Sequence, residues 1–454
     1  MDGLIRIFPK TENKFFDCPS VNRLSSKVCR KAITALIVVV IAQPNSSYAQ
    51  ETLNYEFGGH IKTRFSAQAF PKDSIFRDLS GANSYDLAND LRINFNAGAT
   101  RWKFDADAQV IALIGDSVEY TRELENQIPQ FDVLFSRLPN DDRRWWDLTQ
   151  VYEDEDKTAI LGRFDRLALS YAGKSTSFQF GRQALSWGNG LFYSPMDIVN
   201  PFDPAQVDTE YKAGDDMFYG QYLQSNGNDL EGSYVVRRDP LTGDVESDQA
   251  TYAAKYHGFS RLAEYNMMLA MHYDEWMSGF GISFDAAGAV WRSDLVLSDT
   301  DTNGLESQLV VNTSYSWMWG ERNVTGSAEY FFNGFGRDDG CYLEECLKQS
   351  PELVARLARG QLYNLGRHYL GGSLTLEVTP LFTLTPNLFW NLSDGSALIQ
   401  LVTQYSLGDN LVLLSALAAP MGPSGTEFGG FAVPPSEKVL ATQWTAFVQL
   451  GWYF

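Results

Sequence analysis

Beyond its first fifty residues the sequence has no unbroken apolar run approaching the roughly twenty residues a membrane-spanning helix needs, and its mean hydropathy is slightly negative. That excludes a helical membrane protein. Basic residues are in short supply, 36 Lys and Arg against 56 Asp and Glu, so the formal charge is -20 and nucleic acid is excluded as a partner. Histidines number four, His60, His257, His272 and His368. None stands in a recognisable Ser/His/acid motif, so neither an enzyme nor a bound cofactor is expected. Cysteine is equally sparse. Cys18 and Cys29 lie before the first apolar stretch, which excludes a lipid-modified cysteine directly after it. Cys341 and Cys346 flank Tyr-Leu-Glu-Glu with no histidine nearby, so they read as a loop disulfide rather than a metal site.

What is present begins with a secretion signal. Arg23, Lys27, Arg30 and Lys31 precede an apolar stretch from Ala32 to Ala42, and a polar segment then ends in Ser47-Tyr48-Ala49. The order of basic region, short apolar core and small-x-small site predicts a signal peptide over residues 1–49, cut after Ala49 and exported through the Sec pathway. Its removal takes away seven basic and three acidic residues, so the remaining domain, 50–454, is more acidic than the whole chain.

That domain alternates with period two. Tyr55, Phe57, Ile61 and Phe65 share one parity, and Glu56, His60, Lys62 and Arg64 the other. Leu91, Ile93 and Phe95 alternate with Arg92, Asn94 and Asn96, and Trp102 and Phe104 alternate with Lys103 and Asp105. In a transmembrane barrel every backbone donor is paired within the protein, and strands alternate a lipid-facing apolar row with a lumen-facing polar row. The last segment sets Trp444, Ala446, Val448, Leu450, Trp452 and Phe454 on one face. This ending resembles the C-terminal signature of bacterial outer-membrane barrels, which implies recognition of Phe454 by the barrel-assembly machinery.

Gly, Asn, Asp and Pro mark short turns at 99–101, 172–174, 225–228, 258–261, 285–288, 319–323, 379–380 and 407–410. Longer connections fall between them, the longest near 70–89, 114–157, 185–214, 336–366 and 420–440. Eight short turns and two chain ends on one rim predict an all-β, antiparallel transmembrane barrel of about 18 strands, with 16 as the alternative. Short periplasmic turns and long extracellular loops follow from the asymmetry. A barrel of that size is too wide for its strand side chains to fill, so an aqueous lumen is expected. Its polar parity nominates Arg64, Arg92, Lys103, Arg166, Arg237, Glu329, Arg367 and Glu377 as pore-lining residues, of both signs.

Gly181-Arg-Gln-Ala-Leu-Ser-Trp-Gly-Asn-Gly190 and Ser194-Pro-Met-Asp-Ile-Val-Asn-Pro-Phe-Asp-Pro204 are too rich in turn formers and aromatics to be wall. The loop 185–214 is predicted to fold inward and constrict the pore. Arg182, Gln183, Trp187, Asn200 and Pro201 are its nominated constriction residues, although Arg182 shares the parity of Phe178 and Phe180. With Gly188, these residues resemble the Arg-Gln, Trp-Gly and Asn-Pro elements of porin-like barrel families, including alginate-export-type porins. The resemblance implies a conduit in the bacterial outer membrane, in contact with lipid and lipopolysaccharide, and supplies no substrate.

The expected function is therefore a channel for a small hydrophilic solute or an exported polymer. A conduit for lipids or other hydrophobic compounds working with periplasmic partners, and a surface adhesin or structural barrel, are the alternatives. Met217, Met267, Met268 and Met271 are expected to face lipid or neighbouring strands. In the loop 114–157, the acidic segments Asp141-Asp-Arg-Arg-Trp-Trp-Asp147 and Glu153-Asp-Glu-Asp156 are expected to be solvated surface, with divalent-cation cross-linking to lipopolysaccharide as the sharper alternative. Alternation starts soon after the cleavage site, which leaves no room for a plug domain.

Overall fold

The structure is a computed structural model describing residues 53–127, 138–432 and 438–454. The signal peptide expected over residues 1–49 lies outside the described residues. From Asn54 onward, the main sheet has 19 strands, all neighbours antiparallel, of which 18 form a closed wall. The additional strand, Thr149–Glu155, lies beside the end of Thr158–Ala172. Closure is made by the first strand, Asn54–Ala69, which pairs on one edge with Asn83–Ala99 and on the other with the last strand, Trp444–Tyr453. Phe454 finishes the seam by exchanging two backbone hydrogen bonds with Gly59, each 3.0 Å. Among the described residues the 18-stranded wall therefore has no unpaired edge strand.

Alternation produces this wall because each successive side chain flips between the two faces. His60 and Lys62 point inward and are buried, whereas Ile61 and Phe65 point outward, 41% and 51% exposed. Short connections occur at all eight predicted positions, between Ala99 and Trp102 at the first and between Gly408 and Leu411 at the last. The opposite rim carries helices that the alternation could not announce, Ile75–Ser80, Asp116–Gln127, Glu344–Leu347 and Pro351–Ala358. Cys341 and Cys346 are joined by a disulfide within that rim, with their Cα atoms 5.9 Å apart.

Two irregularities position the interior. Asp107 faces Arg166 while Ala108 faces Phe164, so Asp165 is an extra residue in its strand. The bulge moves the inward row from Arg163 to Arg166. Strand length also varies around the wall: Thr176–Gln183, Asp215–Leu223 and Asp229–Val235 have 8, 9 and 7 residues, against 16 for Gly304–Trp319.

The largest apolar core lies inside the barrel. Met217, Val235, Ala253, Met268, Met277 and Val296 face inward from six successive strands and pack against Trp187, Met196, Ile198 and Val199 of the loop after Gln183. This corrects the expectation for Met217 and Met268, which are buried within the lumen. Met267, half-exposed, faces outward as expected.

Candidate functional site

The connection 184–214 leaves the wall at Gln183, enters the lumen and makes contacts around much of its circumference. Its first half is pinned by wall carboxylates. Trp187 Nε1 donates to Glu231 at 2.8 Å, and the backbone and side-chain amides of Asn189 both donate to Asp294, at 2.6 and 2.7 Å. Glu329 accepts three consecutive loop amides, from Leu191, Phe192 and Tyr193, at 2.6, 3.0 and 2.7 Å. Tyr193 then stacks on Phe331 with ring centroids 4.7 Å apart. A buried carboxylate is stable only when its lone pairs are used, and here the loop backbone uses them.

The second half is an arm with a narrow base. Lys212 closes that base on Asp197 at 2.5 and 2.6 Å, and Asn200 reaches the Ala213 carbonyl at 3.5 Å. Burial pushes the Asp197 carboxyl up to about 6 against the pull of Lys212, and pushes the Lys212 ammonium down. Between these points the chain crosses to the seam of the barrel. The Ala205 carbonyl accepts from Gln400 at 3.0 Å, and Asp208 accepts from Lys62 and Gln449 at 2.8 Å each. Glu210 meets Lys62 at 2.7 Å and Tyr453 at 2.8 Å, and Tyr211 lies under the Arg92 guanidinium, 4.0 Å from ring centre to cation.

Between the arm and the wall remains a cavity of about 260 Å³. Residues 205–208 line one side of it; Arg64, Gln400, Ala416, Ala418, Thr445 and Phe447 line the other. Small alanines leave the space, and Arg64, held by Gln449 at 2.8 Å, projects a cation into it.

The nominated pore-lining residues occupy distinct places and form no single ring. Arg92 and Arg166 converge on Asp165, at 2.7 and 2.8 Å, and Arg92 also holds Asp107 at 3.0 Å. Arg64 stands at the cavity, and Glu329 is consumed in loop anchoring. Arg237 is paired with Asp215 at 3.0 Å, and Arg367 donates to the Gly336 carbonyl, both on the long-loop side. Lys103 and Glu377 lie towards the short turns, bound to Asp105 and Asn323.

Of the nominated constriction residues, Gln183 is buried against the Met217 carbonyl, and Trp187, Asn200 and Pro201 lie in the loop, Pro201 accepting from Tyr363 at 3.1 Å. Arg182 does not join them. It shares the outward row of Phe178 and Phe180, as parity indicated, and is covered from outside by residues 141–148. Asp141, expected as solvated surface, is buried between Arg182 and Arg144. Among the described residues no cluster of acidic, histidine or cysteine side chains is placed to hold a metal ion.

Sequence reasoning missed Asp208, Glu210, Gln400 and Gln449 as partners at the constriction. Inward parity identifies Gln400 and Gln449, but nothing local says where the arm lands.

No family model and no curated protein matches this chain. Among solved structures, OccAB4 of Acinetobacter baumannii superposes with a TM-score of 0.50 at 7% identity, covering 89% of this chain and 99% of that one. OccAB2 of the same organism gives 0.50 at 10% identity, covering 88% and 98%. A BenF-like porin from Pseudomonas fluorescens Pf-5 gives 0.49 at 9%, covering 88% and 98%. What the likeness to the two OccAB structures shows is the fold, a closed 18-stranded antiparallel β-barrel.

Proposed function

We propose that this protein is a constricted outer-membrane channel for small hydrophilic solutes, with the arm 201–211 setting the bore. The supporting observation is the arm itself, which spans the lumen and leaves a cavity of about 260 Å³ beside Arg64. At about 30 Å³ per water, that is room for about nine waters or one small solute, whereas a polymer would need the arm to leave. Guanidinium, carboxylate, amide and hydroxyl groups around the gap suit a polar permeant. The lumen's apolar side chains are covered by residues 185–199, which speaks against an open hydrophobic track.

Planar-bilayer recording and liposome swelling test the proposal. Small, steady conductance is expected, with swelling in a monosaccharide or amino acid and none in an oligosaccharide. A protein that conducts no ions contradicts a channel and fits an adhesin or structural barrel.

A further inference from the structure

Arg182 and Asp216 face each other on adjacent strands, in the outward row that also carries Phe178, Phe180 and Phe218. Charges at lipid-facing positions are costly unless covered and paired. Both of these are fully buried. Their ion pair is two-pronged, at 2.9 and 3.0 Å. The segment 141–148 covers it: Asp141 accepts from Arg182 at 2.9 Å, the Trp146 carbonyl accepts from Arg182 at 2.6 Å, and the Trp146 amide donates to Asp216 at 2.7 Å.

The same segment lays two indoles on the outer wall. Trp146 meets Phe180 edge-on at 5.5 Å, and Trp145 lies 6.5 Å from Phe218. The aromatic row continues around the barrel through Phe218–Tyr234 at 6.1 Å and Tyr234–Tyr252 at 4.6 Å. It sits where the wall is shortest. A spanning strand needs about 9–11 residues, and the strands here have 8, 9 and 7. Outward apolar positions on Thr176–Gln183 stop at Phe180, so the strands alone do not build an apolar belt of about 25 Å there.

We infer that residues 141–148 form a strap bound to the bilayer itself, with Trp145 and Trp146 seated at the acyl–headgroup boundary of the outer leaflet. The strap completes the apolar belt over the short strands and seals the outward ion pair from lipid. Indoles favour that boundary because their rings are apolar and their N–H groups remain near water. The inference rests on the barrel's membrane setting and is independent of whether the lumen conducts.

The test compares the full-length protein with the W145F/W146F variant in phosphatidylcholine vesicles, each brominated near the head or near the end of the acyl chain. The emission difference between the two proteins isolates these indoles from the other tryptophans. Heat-modifiable gel migration confirms that both barrels are folded. Bromine near the chain head is expected to remove about half of the difference emission, with a smaller loss from bromine near the chain end and little from aqueous acrylamide. In a D141N background, which unpins the strap, the difference emission should become open to acrylamide. Difference emission quenched by acrylamide alone, or by no quencher, overturns the inference.

Discussion

Glu329, on the strand Arg322–Asn333, holds the backbone amide of Tyr193 at 2.7 Å, so at this point the loop is fastened to the wall by its main chain. Leu191 and Phe192 donate to the same carboxylate. Three amides on one group fix the path of the backbone at residues 191–193. Replacing the acid by an amide puts an N–H group against donors that have no other acceptor. Glu329→Gln should therefore weaken loop docking by about 1–3 kcal/mol. The expected readout is faster proteolysis between residues 190 and 211 and noisier conductance, with the barrel still heat-modifiable on gels.

Lys62 is the arm's principal contact at the seam, meeting both Asp208 and Glu210. Removing its charge leaves Glu210 without its cation and Asp208 with only the more distant Arg64, at 3.8 Å. Lys62→Met should loosen the arm and raise mean conductance about twofold or more, since Lys62, itself buried, makes the two shortest ion pairs between arm and seam. Unchanged conductance would show that the arm is held elsewhere.

Trp187 anchors the apolar half through its ring and its bond to Glu231. Trp187→Ala should cost the docked loop about 3–5 kcal/mol, the usual range for truncating a buried aromatic. Hydrogen exchange across 185–199 should rise while the strands beneath stay protected.

Glu427 links three rim connections, accepting from the Leu365 amide, the Tyr369 hydroxyl and the Asn391 amide. Burial pushes its carboxyl up to about 7 against those hydrogen bonds. A folded value above the ordinary 4.5 means that the neutral form is favoured in the folded rim. Its stabilising contribution is thus full below about 4.5 and is lost as pH rises through about 7. Rim segments 361–367 and 424–430 should resist protease better at pH 5 than at pH 8, and Glu427→Gln should flatten that dependence.

Gly181 lies at φ 127°, where an added Cβ would come within 2.1 Å of the Leu167 carbonyl. Gly181→Ala should therefore impair folding of the wall beside Arg182, seen as loss of the heat-modifiable form. Normal assembly would mean that the neighbouring strand yields.

The barrel was legible in the sequence because lipid and water impose opposite demands on successive residues, and turns need residues that tolerate tight backbone. The last strand shows it directly, with Val448, Leu450 and Trp452 outside and Gln449 inside. The Asn-Pro and Trp-Gly content of residues 185–214 marked them as a structured connection rather than wall. What period two cannot express is an apolar interior. Met217 and Val235 obey the alternation, yet the water expected on their inward side has been replaced by the loop. Bulges are equally hidden, since Asp165 moves the inward row by one position without any glycine or proline to mark it. Charge alone misled at Asp141, which is consumed by Arg182 from a distant strand.

The central claim is that one arm of the loop sets the bore, and its narrow base makes the decisive variant straightforward. Asn200 and Lys212 stand beside each other's supports, Ala213 and Asp197, so residues 201–211 can be replaced by a short glycine link without disturbing the packed half. Single-channel recording of that variant should show a severalfold larger, quieter conductance and swelling with oligosaccharides that the intact protein excludes. An unchanged conductance in a correctly folded barrel would contradict the account.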